Sequence, residues 1–174
     1  MAYKAINNLQ TIDLDSLDTP SSTKEYPLGT VLPVNDTSKG GESQFMYVKA
    51  HAAFATIGTP FEIQAGSGGN AEAITSVPAT IVSGAVLGFN TTAVTSGYYF
   101  WAQTAGVITA SAAAGIAAGD HVEVINTGTT VILDGTTGST TQTTRSIGIA
   151  KTATATGAID LVVLPSRTIE IAAT

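Results

Sequence analysis

Short apolar stretches alternate with clusters of turn-forming residues along most of this chain, beginning at Leu28. Thr, Val and Ile recur in these stretches and favour extended backbone, while eighteen glycines supply turns. About ten short strands at this spacing predict an all-β fold, an antiparallel β-sandwich or barrel. The predicted strands cover residues 28–34, 44–50, 60–65, 79–89, 98–103, 106–110, 121–126, 129–134, 146–153 and 159–164.

Two connections carry more specific patterns. SAAAGIAAG (111–119) is the only helix candidate, and Gly115 limits it to a turn or two. VINTGTTVIL predicts a hairpin with its bend at Asn126 to Gly128.

Two segments share an order of features. QFMYVKAHAAFATIGTPFEI combines an aromatic strand, an Ala-rich connection and Gly58-x-x-Phe-Glu-Ile. YYFWAQTAGVITASAAAGIAAGDHVEV follows the same order and ends on Gly119-x-x-Val-Glu-Val. The order is compatible with an internal structural repeat and also with chance, because low-complexity Ala/Gly/Thr sequence generates such matches easily.

Residues 1–27 differ from the rest of the chain, because they are polar and acidic and close on a Pro/Ser/Thr cluster. We predict an N-terminal arm and linker at 1–27 and a β-rich domain at 28–174. One interpretation of the arm is a loose terminus. The other is a segment that becomes ordered against a neighbouring chain. The candidate contact residues in the second case are Ile12, Asp13, Leu14, Asp15 and Leu17.

Four consecutive aromatic residues, Tyr98, Tyr99, Phe100 and Trp101, pose a packing problem. Successive side chains of a strand point to opposite faces, so Tyr98 and Phe100 should face one way and Tyr99 and Trp101 the other. One pair can fill a core, and the second pair then needs another cover.

The low charge of the chain points to an assembly component. Only 11% of the residues are charged, against about 25% in an average soluble domain. Such a surface costs less to desolvate when another protein covers it. The net charge of −6, with seven dispersed basic residues, argues against nucleic-acid binding. We expect no signal peptide and no membrane span, because no sufficiently long apolar run is present.

The sequence offers no constellation of catalytic or ligand-binding residues. His51 and His121 lie far apart, and the absence of cysteine excludes thiolate chemistry. DLDSLD (13–18) lacks the turn glycine and the bidentate glutamate of a calcium loop. Glu62 and Glu123 each follow an apolar strand residue, and we expect both to face solvent. We therefore expect no enzyme activity, cofactor site or metal site.

GYYFWAQTAGVITA, followed by GDHVEV and then SIGIAKTATATGAIDLVVLP, resembles the capsid decoration (cement, or head-stabilising) proteins of tailed bacteriophages. YPLGTVLPV with FMYVKAHAAF is similar to the first hairpin of that family. The resemblance covers roughly residues 26–165 and is a pattern of strands and glycines. Phe100 stands where the family pattern often has Gly, and Ala102 where it has Val.

The resemblance implies a structural virion protein, made in the host cytoplasm, that binds the outer surface of the capsid. Its partners would be the major capsid protein and itself, commonly as a homotrimer that clamps adjacent capsomers, with no nucleic-acid or membrane partner. A trimer would also cover the second aromatic pair. Trp101 would then lie in the core, and Tyr98 or Tyr99, with a polar tip, at the subunit seam.

Two other classes stay open. One is another virion component, such as a head fibre or a tail-tube subunit, although the repeats or heptads of a fibre shaft are absent from the sequence. The other is a carbohydrate-binding β-sandwich, against which the small number of aromatic residues counts.

Overall fold

The computed structural model describes residues 3–5, 14–65, 71–73, 86–124, 130–133, 147–153 and 157–163. A single 3-10 helix covers Leu14–Asp18 within this part of the chain. The strands are β1 (Tyr3–Ala5), β2 (Val31–Asp36), β3 (Gly41–Ala50), β4 (Pro60–Ala65), β5 (Ala71–Ala73), β6 (Val86–Asn90), β7 (Tyr99–Ala112), β8 (His121–Val124), β9 (Val131–Leu133), β10 (Gly148–Ala150) and β11 (Gly157–Val163).

The predicted all-β fold is confirmed, with largely antiparallel pairing. The short helix predicted at 111–119 is wrong. Ser111 and Ala112 end β7, and the following residues form turns in which Gly115 and Gly119 have positive φ. The backbone therefore reverses where Ala-rich composition suggested a helix. β8 and β9 pair as the hairpin predicted, while its bend at 126–128 lies outside the described residues.

The strands form two lobes with the same pairing scheme. In the first lobe, β3 pairs in parallel with β5, and antiparallel pairs link β5 to β4, β4 to β6, β6 to β7 and β7 to β3. In the second lobe, β7, β9, β8, β10 and β11 repeat this order and these directions. The order of features seen in the sequence thus corresponds to a repeated strand arrangement, with β7 shared by both lobes.

The two lobes agree even in residue register. Phe61 of β4 lies opposite Gly88 of β6, and Val122 of β8 lies opposite Gly148 of β10. The parallel pairing is short in each lobe, two residue pairs between β3 and β5 and one between β7 and β9. The arrangement is therefore closer to a curved sandwich than to a continuous barrel.

β7 is a single strand of 14 residues where the sequence analysis expected two shorter ones. Its Ala102 pairs with Asn90, the Asn90 carbonyl accepts a hydrogen bond from the Gly58 amide, and the Gly58 carbonyl accepts one from the Ser111 amide. Asn90 and Gly58 thus connect Ala102 to Ser111, although these two residues of β7 would lie about 30 Å apart in a straight strand. β7 must therefore curve strongly, and Gly106, with a φ of 96°, lies inside the curved stretch.

Three apolar clusters form the core. The first-lobe cluster comprises Val48, Ala50, Phe54, Phe61, Ile63, Val94, Phe100 and Ala102. The second-lobe cluster is built mainly from β7, β8, β10 and β11 and includes Ile108, Val122, Ile159 and Leu161. A third cluster, called here the Trp101 cluster, comprises Leu17, Leu32, Val34, Phe45, Tyr47 and Trp101. Each lobe has its own interior. The Trp101 cluster joins residues 14–28, called here the N-terminal segment, to β2, β3 and β7.

Candidate interaction surface

The four consecutive aromatic residues alternate between two clusters. Phe100 packs in the first-lobe cluster, with its ring centroid 5.9 Å from that of Phe54 and 5.8 Å from that of Phe61. Tyr98 lies against the same cluster and is partly buried. This pair therefore faces the interior of the first lobe.

The other pair faces the opposite side. Trp101 is 1% exposed, and its ring lies 5.0 Å from Tyr47 and 5.3 Å from Tyr26. Tyr99 stacks on Tyr47 at 6.3 Å between ring centroids. Phe100 and Trp101 are thus buried on opposite faces within one chain, while Tyr98 and Tyr99 are partly exposed, and a place for either tyrosine at a subunit seam stays a prediction.

The cover over Trp101 comes from residues 14–28, which the sequence analysis placed mainly in an arm. Leu17 is 1% exposed and belongs to the Trp101 cluster, against which Leu14 and Tyr26 also pack. Leu17 thus lies in the chain's own core, where one of the two interpretations of the arm had placed it in contact with a neighbouring chain. Ile12 and Asp13 lie outside the described residues.

Backbone hydrogen bonds hold this N-terminal segment (residues 14–28) on the sheet. Ser21 and Tyr99 exchange two of them, at 2.9 and 2.8 Å between nitrogen and oxygen. The amide of Glu25 donates to the hydroxyl of Tyr47 at 3.2 Å. Burial raises the pKa of Tyr47 above its ordinary value, although the hydrogen bond from Glu25 opposes that rise.

A groove of about 500 Å³ lies between the N-terminal segment and the start of β7. Asp15 and Glu25 are the charged residues that line it, and Tyr98 is the aromatic one. The remaining lining residues are Ser16, Thr19, Pro20, Ser21 and Ser22. The groove brings together Asp15 and Tyr98, two of the residues proposed for an interface, while Leu14, Leu17 and Tyr99 belong to the packing beside it.

The two glutamates expected at the surface are buried. Glu62 is 2% exposed and Glu123 is 3% exposed, so the expectation that they face solvent is wrong. β4 is buried on both faces from Phe61 to Ile63, and β8 is buried on both faces from Val122 to Val124. Side chains that alternate between the two faces are therefore buried on either side of these strands. The sequence signal was the Glu shared by both copies of the Gly-x-x-apolar-Glu-apolar pattern.

A charged cluster links the β2–β3 turn to β11. The Lys39 ammonium forms an ion pair with Asp160 and also donates to the hydroxyl of Thr109 at 2.7 Å. Burial alone would raise the pKa of Asp160. Hydrogen bonds from Lys39 and Thr109, with the charges of Lys39 and Lys151, outweigh burial and hold that pKa below its ordinary value.

Neither a metal-binding cluster nor a membrane-spanning helix is found in the described part of the chain. It contains no grouping of three or more His, Asp or Glu side chains suited to a metal ion. None of its helical residues form a helix long and apolar enough to cross a membrane. His51 and His121 are exposed and lie on different lobes.

Comparisons with known proteins give no match: no protein-family model, no curated protein and no solved structure matches this chain.

Proposed function

We propose that this protein is a capsid decoration protein of a tailed bacteriophage, which binds the outer surface of the shell and clamps adjacent major capsid protein subunits. The observation that carries the proposal is the place of the segment on which the resemblance rests. GYYFWAQTAGVITA begins at Gly97 and supplies β7, the strand common to both lobes. The other matching segment, SIGIAKTATATGAIDLVVLP, supplies β10 and β11, which complete the second lobe.

The mechanical character of the molecule supports a clamping role. A protein that restrains a pressurised shell has to transmit load without unfolding locally. Because β7 belongs to both lobes, neither lobe can separate from the other without breaking the main-chain hydrogen bonds of this strand. The Trp101 cluster adds apolar contact between this strand and the N-terminal segment.

The surface chemistry supports docking onto another protein. A weakly charged surface loses little hydration free energy when it is covered, and the groove beside Tyr98 offers a concave, preformed contact. Trimer formation is part of the proposal on the strength of the resemblance. The aromatic pairs add no independent support for a trimer, because other residues of the same chain pack against both pairs.

The decisive experiment uses shells of the major capsid protein encoded in the same genome. Shells are assembled with and without the purified chain and then sedimented and imaged by cryo-electron microscopy. We expect the chain to co-sediment, to add density on the outer surface and to raise the temperature at which shells rupture. Shells that sediment without it, at any ratio, would contradict the proposal. Native mass spectrometry of the bound and free protein then determines whether it is a trimer.

A further inference from the structure

The first part of the N-terminal segment, residues 14–21, covers Trp101 and is called here the strap. Leu17 is the one fully buried residue of the strap, and Leu14 packs beside it partly exposed. Ser21 and Tyr99 form an isolated bridge of two backbone hydrogen bonds. The 3-10 helix of the strap has poorer hydrogen-bond geometry than an α-helix and adds little stability. The apolar attachment of the strap therefore depends mainly on one side chain.

The two-lobe body beneath the strap is held together by longer pairings. β7 pairs with β3 over six residue pairs and with β11 over seven. Each lobe also has its own apolar cluster, and neither of these clusters includes a residue of the strap. Loss of the contacts that the strap makes would therefore leave the interior of both lobes intact.

The chain on either side of the strap is attached to the same sheet. β1 precedes the strap and pairs with β2 over three residue pairs. After the strap, the exposed residues 22–25 lead to Tyr26, which packs on Trp101 with ring centroids 5.3 Å apart. The Gly29 amide then donates to the Tyr47 carbonyl at 2.8 Å. The strap can therefore lift while the chain before and after it stays in place.

The closed form leaves two polar atoms buried without a partner. Nε1–H of Trp101 is buried, and no acceptor for it is found in the part of the chain that the structure describes. Oδ1 of Asp18, on the strap, is buried and finds no donor among the same residues. A buried polar group without a partner costs free energy that contact with water recovers. Opening of the strap therefore regains part of the free energy that it loses by exposing Leu17.

We propose that residues 14–21 form a strap that opens and closes over Trp101 while the two-lobe body stays folded. This inference goes beyond the proposed function and does not depend on it. In the closed form the strap helps to exclude water from the face that carries Trp101, Tyr47 and Phe45. Opening exposes this face without breaking the β7 pairings that join the lobes. The strap thus controls when the only indole of the chain is accessible.

Hydrogen exchange of the wild-type chain, followed by NMR at low denaturant concentration, measures the opening. The amides of Ser21 and Tyr99 donate to each other's carbonyls, so both report on the strap. The amides of Ala50 and Ser111 donate within the body and serve as controls. We expect the strap amides to open at least about tenfold more often than the controls. Their opening should also depend less on denaturant, because it exposes less surface than global unfolding does.

A thiol placed under the strap gives a second measurement. The chain contains no cysteine, so Leu17→Cys introduces a single site for a thiol reagent. Ile159→Cys in β11 is the matched control, because Leu17 and Ile159 are both 1% exposed. Below the unfolding midpoint we expect the Leu17→Cys variant to react at least about tenfold faster than the control. Above the midpoint the two rates should converge, and circular dichroism shows whether both variants are folded.

Equal exchange at the strap and body amides of the wild-type chain would overturn the proposal, because the strap would then unfold only together with the body. Equal reaction rates of the two folded thiol variants would overturn it as well. If either variant fails to fold, the exchange measurement on the wild-type chain decides alone. Neither experiment uses capsid shells, so failure of the strap and failure of the proposed function are separate results.

Discussion

Tyr99 and Ser21 exchange two backbone hydrogen bonds, so the N-terminal segment pairs with the first residue of β7 as a short strand would. This contact places Leu17 over Trp101 and completes the Trp101 cluster. It also forms one wall of the groove beside Tyr98. The cover over Trp101 and the shape of the groove therefore depend on the same segment.

The first prediction concerns Leu17. Leu17→Ala should lower the free energy of unfolding by about 2–5 kcal/mol, because it removes a fully buried side chain from the Trp101 cluster. Leu14→Ala is the matched control with a smaller expected effect, since Leu14 is only partly buried. Urea denaturation followed by tryptophan fluorescence measures both, because the only Trp lies in this cluster. Equal effects of the two variants would show that the segment does not pack as described.

The second prediction separates backbone strain from steric conflict at glycine. At Gly58, which has a positive φ, an added Cβ would clash with the Thr109 carbonyl oxygen in β7, at 2.4 Å. Gly97 also has a positive φ but has open space around it, and Gly41 has neither constraint. We expect Gly58→Ala to cost about 2–4 kcal/mol, Gly97→Ala about 1–2 kcal/mol and Gly41→Ala almost nothing. Thermal melting of the three variants gives the order, and similar melting temperatures for Gly58→Ala and Gly97→Ala would contradict the close approach to β7.

The third prediction concerns Asn90, which is 1% exposed and joins two loops. Its Nδ2 group donates to the carbonyls of Thr56 and Thr92 at 2.8 Å, and its Oδ1 atom accepts from the Thr59 amide at 2.9 Å. Asn90→Ala should cost about 2–4 kcal/mol, because the buried Thr59 amide and the Thr56 and Thr92 carbonyls would all lose their partner. Asn35→Ala, at an exposed strand position, should be nearly neutral. Chemical denaturation compares them, and a neutral Asn90→Ala would show that water replaces the amide.

The fourth prediction is a pH dependence set by Asp160. Its pKa is held below the ordinary value of 3.8 in the folded chain, so its ionised form stabilises the fold. That contribution is present above pH 3.8 and is lost as the pH falls through the lower pKa of the folded state. Asp160→Asn should therefore be less stable than wild type at pH 7, and the difference should shrink at pH 3. Unfolding curves at both pH values check this, with Glu42→Gln as control. A difference that does not change with pH would rule out the ion pair with Lys39 as its source.

Local sequence patterns alone predicted that the fold consists mainly of strands. β4 coincides with the predicted strand at 60–65, and β8 and β9 pair as VINTGTTVIL indicated, because strand-forming residues and turn residues act over a few positions. Alternation also placed Phe100 and Trp101 on opposite faces, which is a property of any extended backbone. The paired Gly-x-x-apolar-Glu-apolar segments marked the repeated arrangement that the strand pairings then displayed.

The tertiary structure determines which part of the chain covers each face of a strand. The shared Gly-x-x-apolar-Glu-apolar pattern marks Glu62 and Glu123 as equivalent positions, but their burial depends on the layers packed over them from distant parts of the chain. The groove is likewise invisible in sequence, because Asp15 and Tyr98 come together only when Ser21 pairs with Tyr99. The N-terminal segment packs on its own sheet for the same reason: the Trp101 face offers Leu17 a desolvated site, and burying that side chain removes apolar surface from water. Sequence patterns specify which residues need cover, and long-range packing determines which segment provides it.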